Sequence, residues 1–160
     1  MAIYTSRFSN PELRKEYYTA VRIATGAPKW DLGYKLDGEL KELMPFGLLG
    51  KYDNDISAFK REYFVRLERI GVDRIIQQLR QFESDEKDVV LLCWEDVRKG
   101  EKDWCHRTMF AEWWLTQTGE IIEELHDPTN FSIPKMPKSA TKPVFQETIP
   151  KPTCEQIDLF

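Results

Sequence analysis

The run Asp88-Val89-Val90-Leu91-Leu92-Cys93 constrains the fold more than any other stretch of the chain. A strand with one wet face would alternate apolar and polar side chains. An unbroken apolar run of this length instead predicts a strand covered on both faces, as in the middle of a parallel sheet. Helices supply such cover. Phe59, Phe64, Leu67 and Ile70 recur at helical spacing, and Ile75, Ile76 and Leu79 continue the pattern after Gly71. Met109, Phe110, Trp113 and Trp114 mark a further helix, with Asp103 placed to cap its start and Gly119 to stop it. Residues 2–5 and 20–23 read as short strands and residues 121–125 as a closing one. Residues 26–55, rich in Gly and aromatics, give no periodic signal. The alternation of strand, helix and strand predicts an α/β fold of three layers, with a mostly parallel sheet flanked by helices.

The 160 residues suit one domain, and 41% apolar content with five Trp and nine Phe is enough to fill its core. Six of the nine prolines (Pro128, Pro134, Pro137, Pro143, Pro150 and Pro152) follow Leu125. This places an α/β domain at 1–126, an extended Pro-rich tail at 127–155 and a distinct peptide at 156–160. A tail of that length would average about 30 Å from end to end if flexible, and about 90 Å if drawn into a polyproline helix. Phe131, Ile133, Met136, Val144, Phe145 and Ile149 suit partial docking of the tail along the domain surface. The net charge of -4 argues against tight unaided binding to a phosphate backbone, because such affinity rests on counterion release by Lys and Arg. No charged-then-apolar leader, no membrane-length apolar run and no disulfide framework among Cys93, Cys105 and Cys154 are evident. A cytoplasmic protein with free thiols and no membrane partner is expected.

Ligands of an open parallel sheet bind beyond the carboxyl ends of its strands, where helix N-termini converge. The first strand delivers Thr5, Ser6 and Arg7 there, the second Arg22 and Thr25, and the central strand Cys93, Trp94 and Glu95. The following helix opens with Cys105, His106 and Arg107. Unpaired amides at a helix start, next to a guanidinium, suit a phosphate or carboxylate. The expected anion-binding set is therefore Thr5, Ser6, Arg22, Cys93 and Arg107, with Cys105, His106 and Glu95 as the catalytic candidates. Cys105 reads either as a thiolate nucleophile, as a metal ligand or as a packed apolar residue, and Cys93 either as core filler or as a site-lining group. His106 either moves a proton, as Glu95 could, or pairs with Glu95. Lys29, Trp30, Tyr34 and Lys35 form a basic aromatic cluster that reads either as a base-stacking surface or as a solvated loop.

Spacing sets several mechanisms aside. A cysteine phosphatase runs from Cys to an Arg six places on, whereas Arg98 is five places from Cys93, with acidic Glu95 and Asp96 between them. A structural zinc site prefers four ligands in short pairs, and Cys93, Cys105 and His106 make three, so no metal or other cofactor is expected. Neither a glycine-rich phosphate loop of the Gly-x-x-x-x-Gly-Lys type nor a Gly-x-Ser-x-Gly elbow is present.

The combination of Ile3-Tyr4-Thr5-Ser6, Val21-Arg22, Leu91-Leu92-Cys93-Trp94-Glu95, and Cys105-His106-Arg107 followed by Ala111-Glu112-Trp113-Trp114-Leu115 resembles the domain of unknown function 488 family (DUF488) over residues 2–126. The resemblance implies an α/β domain with a pocket around Cys93, Glu95, Cys105, His106 and Arg107, and it names no reaction. Many members carry Gly-His after the first strand, where Ser6-Arg7-Phe8 stands here. The last five residues, Gln156-Ile157-Asp158-Leu159-Phe160, resemble the peptide with which bacterial DNA polymerases and repair proteins dock on the sliding clamp, the DNA polymerase III beta subunit. Leu159 and Phe160 would fill an apolar pocket there and Gln156 would hydrogen-bond at its rim. These features imply a protein of DNA replication or repair tethered to the clamp, reaching DNA through it, with an anion or nucleotide pocket that processes nucleotides or DNA bases. The alternative is a non-catalytic interaction protein, of the kind phages and mobile elements encode, that occupies the clamp.

Overall fold

A computed structural model describes residues 1–130 of the chain. The tail expected at 127–155 lies outside them from residue 131 onward, as does the clamp-like peptide at 156–160. Five strands form one sheet: β1 (Ile3–Arg7), β2 (Tyr18–Arg22), β3 (Gly38–Glu39), β4 (Asp88–Cys93) and β5 (Glu123–Glu124). Their order is β3-β2-β4-β1-β5 and every pairing is parallel. The apolar run identified from sequence is the middle strand, with the same bounds. It pairs with β1 in the register Thr5 to Leu91 and with β2 in the register Val21 to Leu91.

Successive residues of a strand point to opposite faces. Val89 and Leu91 enter a core shared with α1 (Ile56–Ile70), α2 (Val72–Leu79) and α3 (His106–Thr118), where Phe59, Tyr63, Leu67, Ile75, Leu79, Phe110 and Trp113 pack. Val90 and Leu92 enter a second core with Phe8, Leu13, Ala20 and Leu125. The molecule is therefore α/β, as expected. Its third layer is irregular chain around a 3-10 turn at Pro11–Arg14, with Leu32, Tyr34 and Leu36 laid over it. Residues 8–17, which lead from β1 to β2, are too few for the usual helical crossover of a dozen or more. Asn10 caps the short turn by accepting from the Glu12 amide at 3.0 Å, and holds its ends by donating to Ser6 Oγ and to the His126 carbonyl.

Local chemistry sets the helix bounds. Asp55 caps α1 by accepting from the Ala58 amide at 3.0 Å. The start of α3 departs from expectation, because Cys105 occupies the N-cap and Asp103 closes a separate 3-10 turn at Glu101–Asp103. The reason is Trp104, whose ring meets the Phe59 ring edge-on at 4.7 Å and whose backbone is extended, so the helix cannot begin before it. Gly119 ends α3 as expected, with φ of 75° in the left-handed region that favours glycine. The closing strand is only Glu123–Glu124. The unread stretch 26–55 contains β3 and a 3-10 turn at Lys41–Leu43. Gly38 is required in β3 because a side chain there would come within 2.6 Å of the Phe82 ring. Among the described residues, no helix is long and apolar enough to cross a membrane.

Among the described residues beyond β5, Asp127 and Thr129 are tied to the domain. Arg98 grips Asp96 with two hydrogen bonds, at 2.9 and 2.8 Å, and donates to the Thr129 carbonyl at 2.7 Å. Arg7 donates to Asp127 at 2.6 Å and to Thr129 Oγ1 at 2.8 Å. Hydrogen bonding from Arg98 holds the Asp96 carboxyl down at about 2. Asp127 is also lowered: burial opposes the shift, and the Arg7 and Thr129 contacts outweigh it. Depressed carboxyls stabilise the folded state above the ordinary aspartate value of about 4, and that stability disappears as pH falls through the folded value. Thermal unfolding of the intact chain and of Asp96→Asn should thus differ by up to about 2 kcal/mol at neutral pH and converge near pH 2. A difference that persists at pH 2 would show that the contact does not depend on ionisation.

Candidate functional site

A cleft of about 280 Å³ opens beyond the carboxyl ends of β2 and β4. Its walls come from Ala24 and Thr25 after β2, from Cys93, Trp94 and Glu95 at the end of β4, from Lys102 and Trp104 before α3, and from Cys105 and His106 at the helix start. A larger hollow of about 440 Å³ lies at the other edge of the sheet, against residues 1–4 and 120–123, and contains no thiol or imidazole. The chemistry is in the smaller one, at the sheet edge where open α/β folds bind ligands.

His106 organises the base of the cleft. Its Nε2 lies 2.9 Å from the Ile23 carbonyl, which can only accept, so Nε2 carries a proton. In the neutral ring Nδ1 is then a bare lone pair, and it faces Cys93 Sγ at 3.6 Å and Cys105 Sγ at 3.8 Å. Tyr63 fixes the ring from the other side: the two rings meet edge to face at 5.7 Å, and the Tyr63 hydroxyl donates to the Leu43 carbonyl at 2.7 Å. Cys93 Sγ also lies 3.4 Å from Glu95 Oε2. Cys93, Cys105 and His106 are all buried. The thiol of Cys105 makes no capping bond to α3, which leaves it available to the imidazole.

The two thiols titrate as a pair. Contact with Cys105 and burial push the Cys93 thiol far up. Burial also resists ionisation of Cys105, but Cys93, His106 and the Arg107 charge outweigh it and draw that thiol well below the usual range. Glu95 is raised by burial and by the nearby charge of Cys105. The site thus combines a thiol drawn towards ionisation, a thiol drawn away from it, an imidazole of fixed tautomer and a carboxyl that holds its proton more tightly than usual.

Four candidates from the sequence come together here: Cys93, Glu95, Cys105 and His106. The cationic members of the expected anion set do not join them. Arg107 is fully buried and forms a two-pronged ion pair with Glu124, with Nε at 3.1 and 3.2 Å and Nη2 at 2.7 Å. Thr5 donates to the same carboxylate at 2.7 Å. Arg22 is engaged by Glu39 and by the Ala24 and Thr25 carbonyls, and Ser6 lies between Asn10 and the Arg7 carbonyl. Lys102 is the one cation lining the cleft among the described residues, opposed by Asp53 and Glu95.

The rim is aromatic. Half-exposed Trp30 leans on Trp94 with ring centres 5.4 Å apart, and Phe8 meets the same Trp94 ring edge-on at 5.0 Å. Tyr34, grouped with Trp30 from sequence, points inward and donates to the Phe8 carbonyl at 2.7 Å. The Ile23 carbonyl, Tyr63 and Trp104 also shape the site, and Glu124 draws Arg107 away from it; sequence reasoning did not single these four out. Only Glu124 left a signal, as half of the acidic pair on an otherwise apolar closing strand. The chain matches no protein-family model, no curated protein and no solved structure.

Proposed function

We propose that this protein works in DNA metabolism, held at the sliding clamp by its last five residues, and that its domain processes nucleotides or DNA bases in the cleft at Cys93, Glu95, Cys105 and His106. The clamp assignment is carried by the sequence Gln156-Ile157-Asp158-Leu159-Phe160, in which two large apolar side chains and a hydrogen-bonding Gln are spaced for a pocket on a partner. The composition of the cleft supports the choice of ligand. Facing one lysine against two carboxyls, a phosphate group would gain little, whereas a flat ring could stack at the Trp94 and Trp30 rim and present its edge to Glu95. The resemblance to the DUF488 family implies a pocket around Cys93, Glu95, Cys105, His106 and Arg107, of which the first four line this cleft and Arg107 does not.

Burying Leu159 and Phe160 contributes about 1.5–3 kcal/mol each before ordering costs, which suits capture by the clamp in the micromolar range. Purified bacterial clamp should retain the intact chain and lose it when residues 156–160 are removed. Equal retention of both would end the clamp assignment. A Cys105→Ala, His106→Ala double variant should still be captured but should fail to support the domain's work in a replication assay. Full activity of that variant, with loss on truncation, would make the protein a non-catalytic occupant of the clamp.

A further inference from the structure

The donor atoms at the base of the cleft support an inference that does not depend on the clamp-directed tail. Cys93 Sγ, Cys105 Sγ and His106 Nδ1 all lie within 4.8 Å of one another. In a tetrahedral zinc site, with bonds of about 2.3 Å to sulfur and about 2.0–2.1 Å to nitrogen, neighbouring sulfur and nitrogen ligands stand about 3.6 Å apart. The observed separations are 3.6 and 3.8 Å. The imidazole is also turned correctly. Its Nε2–H is taken up by the Ile23 carbonyl, the outer contact that fixes the tautomer of metal-binding histidines and aims the other nitrogen at the ion. The ligands stand on the last residue of β4, the N-cap of α3 and the first residue of that helix, positions that the flanking elements already hold in place.

We infer that Cys93, Cys105 and His106 are the protein ligands of a thiophilic divalent metal ion of the zinc class, whose fourth coordination position opens into the cleft beside Glu95. Two sulfurs and an imidazole suit such an ion, whereas calcium and magnesium require oxygen ligands. Among the described residues three protein ligands are present, and three with an open position is the arrangement of catalytic zinc sites, whereas four closed ligands is that of structural ones. Counting towards four is why spacing alone set a structural zinc site aside, although Cys105 also read as a metal ligand. Glu95, with its carboxyl 3.4 Å from Cys93 Sγ, is placed to hydrogen-bond whatever molecule takes the open position.

Cobalt(II) tests the assignment on the full-length chain, stripped with chelator and kept reduced. One equivalent should produce the near-ultraviolet thiolate-to-cobalt band and the strong visible bands of tetrahedral cobalt, and zinc should displace it. Cys93→Ser and His106→Ala should each weaken cobalt binding by more than about 100-fold, beyond the loss that outer contacts alone produce. Glu95→Gln should keep the bands. Because the ligands are buried, the intact chain provides a control that needs no variant: zinc should raise its melting temperature and slow alkylation of Cys93 and Cys105. Absence of the cobalt bands while both thiols are demonstrably reduced would overturn the inference, as would bands unchanged in a folded His106→Ala. So would isolation of Cys93 and Cys105 as a mutual disulfide that takes up no cobalt once reduced. Failure of clamp capture would leave a positive result standing, and loss of the metal would leave clamp capture intact.

Discussion

Glu124→Ala should cost about 5 kcal/mol of folding stability, more than Arg107→Ala at about 3 kcal/mol, although both break the same ion pair. The asymmetry follows from where each partner sits. Removing the carboxylate strands a guanidinium that is wholly inside the protein and whose Nη1 already lacks a hydrogen-bond partner among the described residues. Removing the guanidinium leaves a carboxylate with 33% of its side-chain surface in water and a remaining hydrogen bond from Thr5. Burial alone would lower the Arg107 pKa, but the Glu124 contact more than compensates and raises it above its ordinary value. With a total stability of about 5–15 kcal/mol for a domain of this kind, Glu124→Ala alone brings the fold close to its limit. A Glu124→Gln, Arg107→Met double variant, which removes both charges, should lose less than the two single changes to alanine added together. Urea titrations of the four chains provide the comparison. Equal losses below 1 kcal/mol from both alanine changes would mean that water screens the pair.

Tyr63→Ala should lose about 3–5 kcal/mol through the cavity it opens, plus the cost of an unpaired Leu43 carbonyl. The ring is completely buried between α1 and the site, touching Phe59 on one side and His106 on the other. Tyr63→Phe retains the ring and should lose only about 1 kcal/mol, the typical worth of the hydrogen bond to Leu43. The two variants therefore separate packing from polarity. Thermal melts report the stability, and the imidazole proton resonances of His106 report whether its ring still stands upright. If Tyr63→Phe were as damaging as Tyr63→Ala, the hydroxyl rather than the ring would be holding this corner together.

The sequence revealed the frame of the site through the unbroken apolar character of β4. A strand covered on both sides belongs in the middle of a parallel sheet, and its last residue then faces the edge where ligands bind. Cys93 and Glu95 follow from that position, and Cys105 and His106 from the helix that must start nearby. Grouping Arg107 with His106 failed for a geometric reason. Consecutive residues of a helix point about 100° apart, so when His106 turns to β4, Arg107 turns to β1 and β5. Its partnership with Glu124 depends on β5 lying beside β1, a pairing of residues 119 positions apart that no local pattern encodes. The misplaced cap of α3 had a similar origin. Asp103 has the right chemistry for an N-cap, but the contact of Trp104 with Phe59, from a helix far back in the chain, holds the backbone extended for one more residue. β3 was illegible because two residues are too few to show a period.

The position of β1 has a consequence for how the protein is made. It is the first strand of this domain to be made, yet its two neighbours in the sheet are β4 and β5, so Ile3 waits for Val89 and Thr5 waits for Glu124. Nascent chains that end before Glu124 therefore expose an unpaired edge of β1 that nothing yet synthesised can cover. Completion of the sheet awaits the synthesis of β5, and products stalled or truncated before it should depend on chaperones far more than the finished domain does.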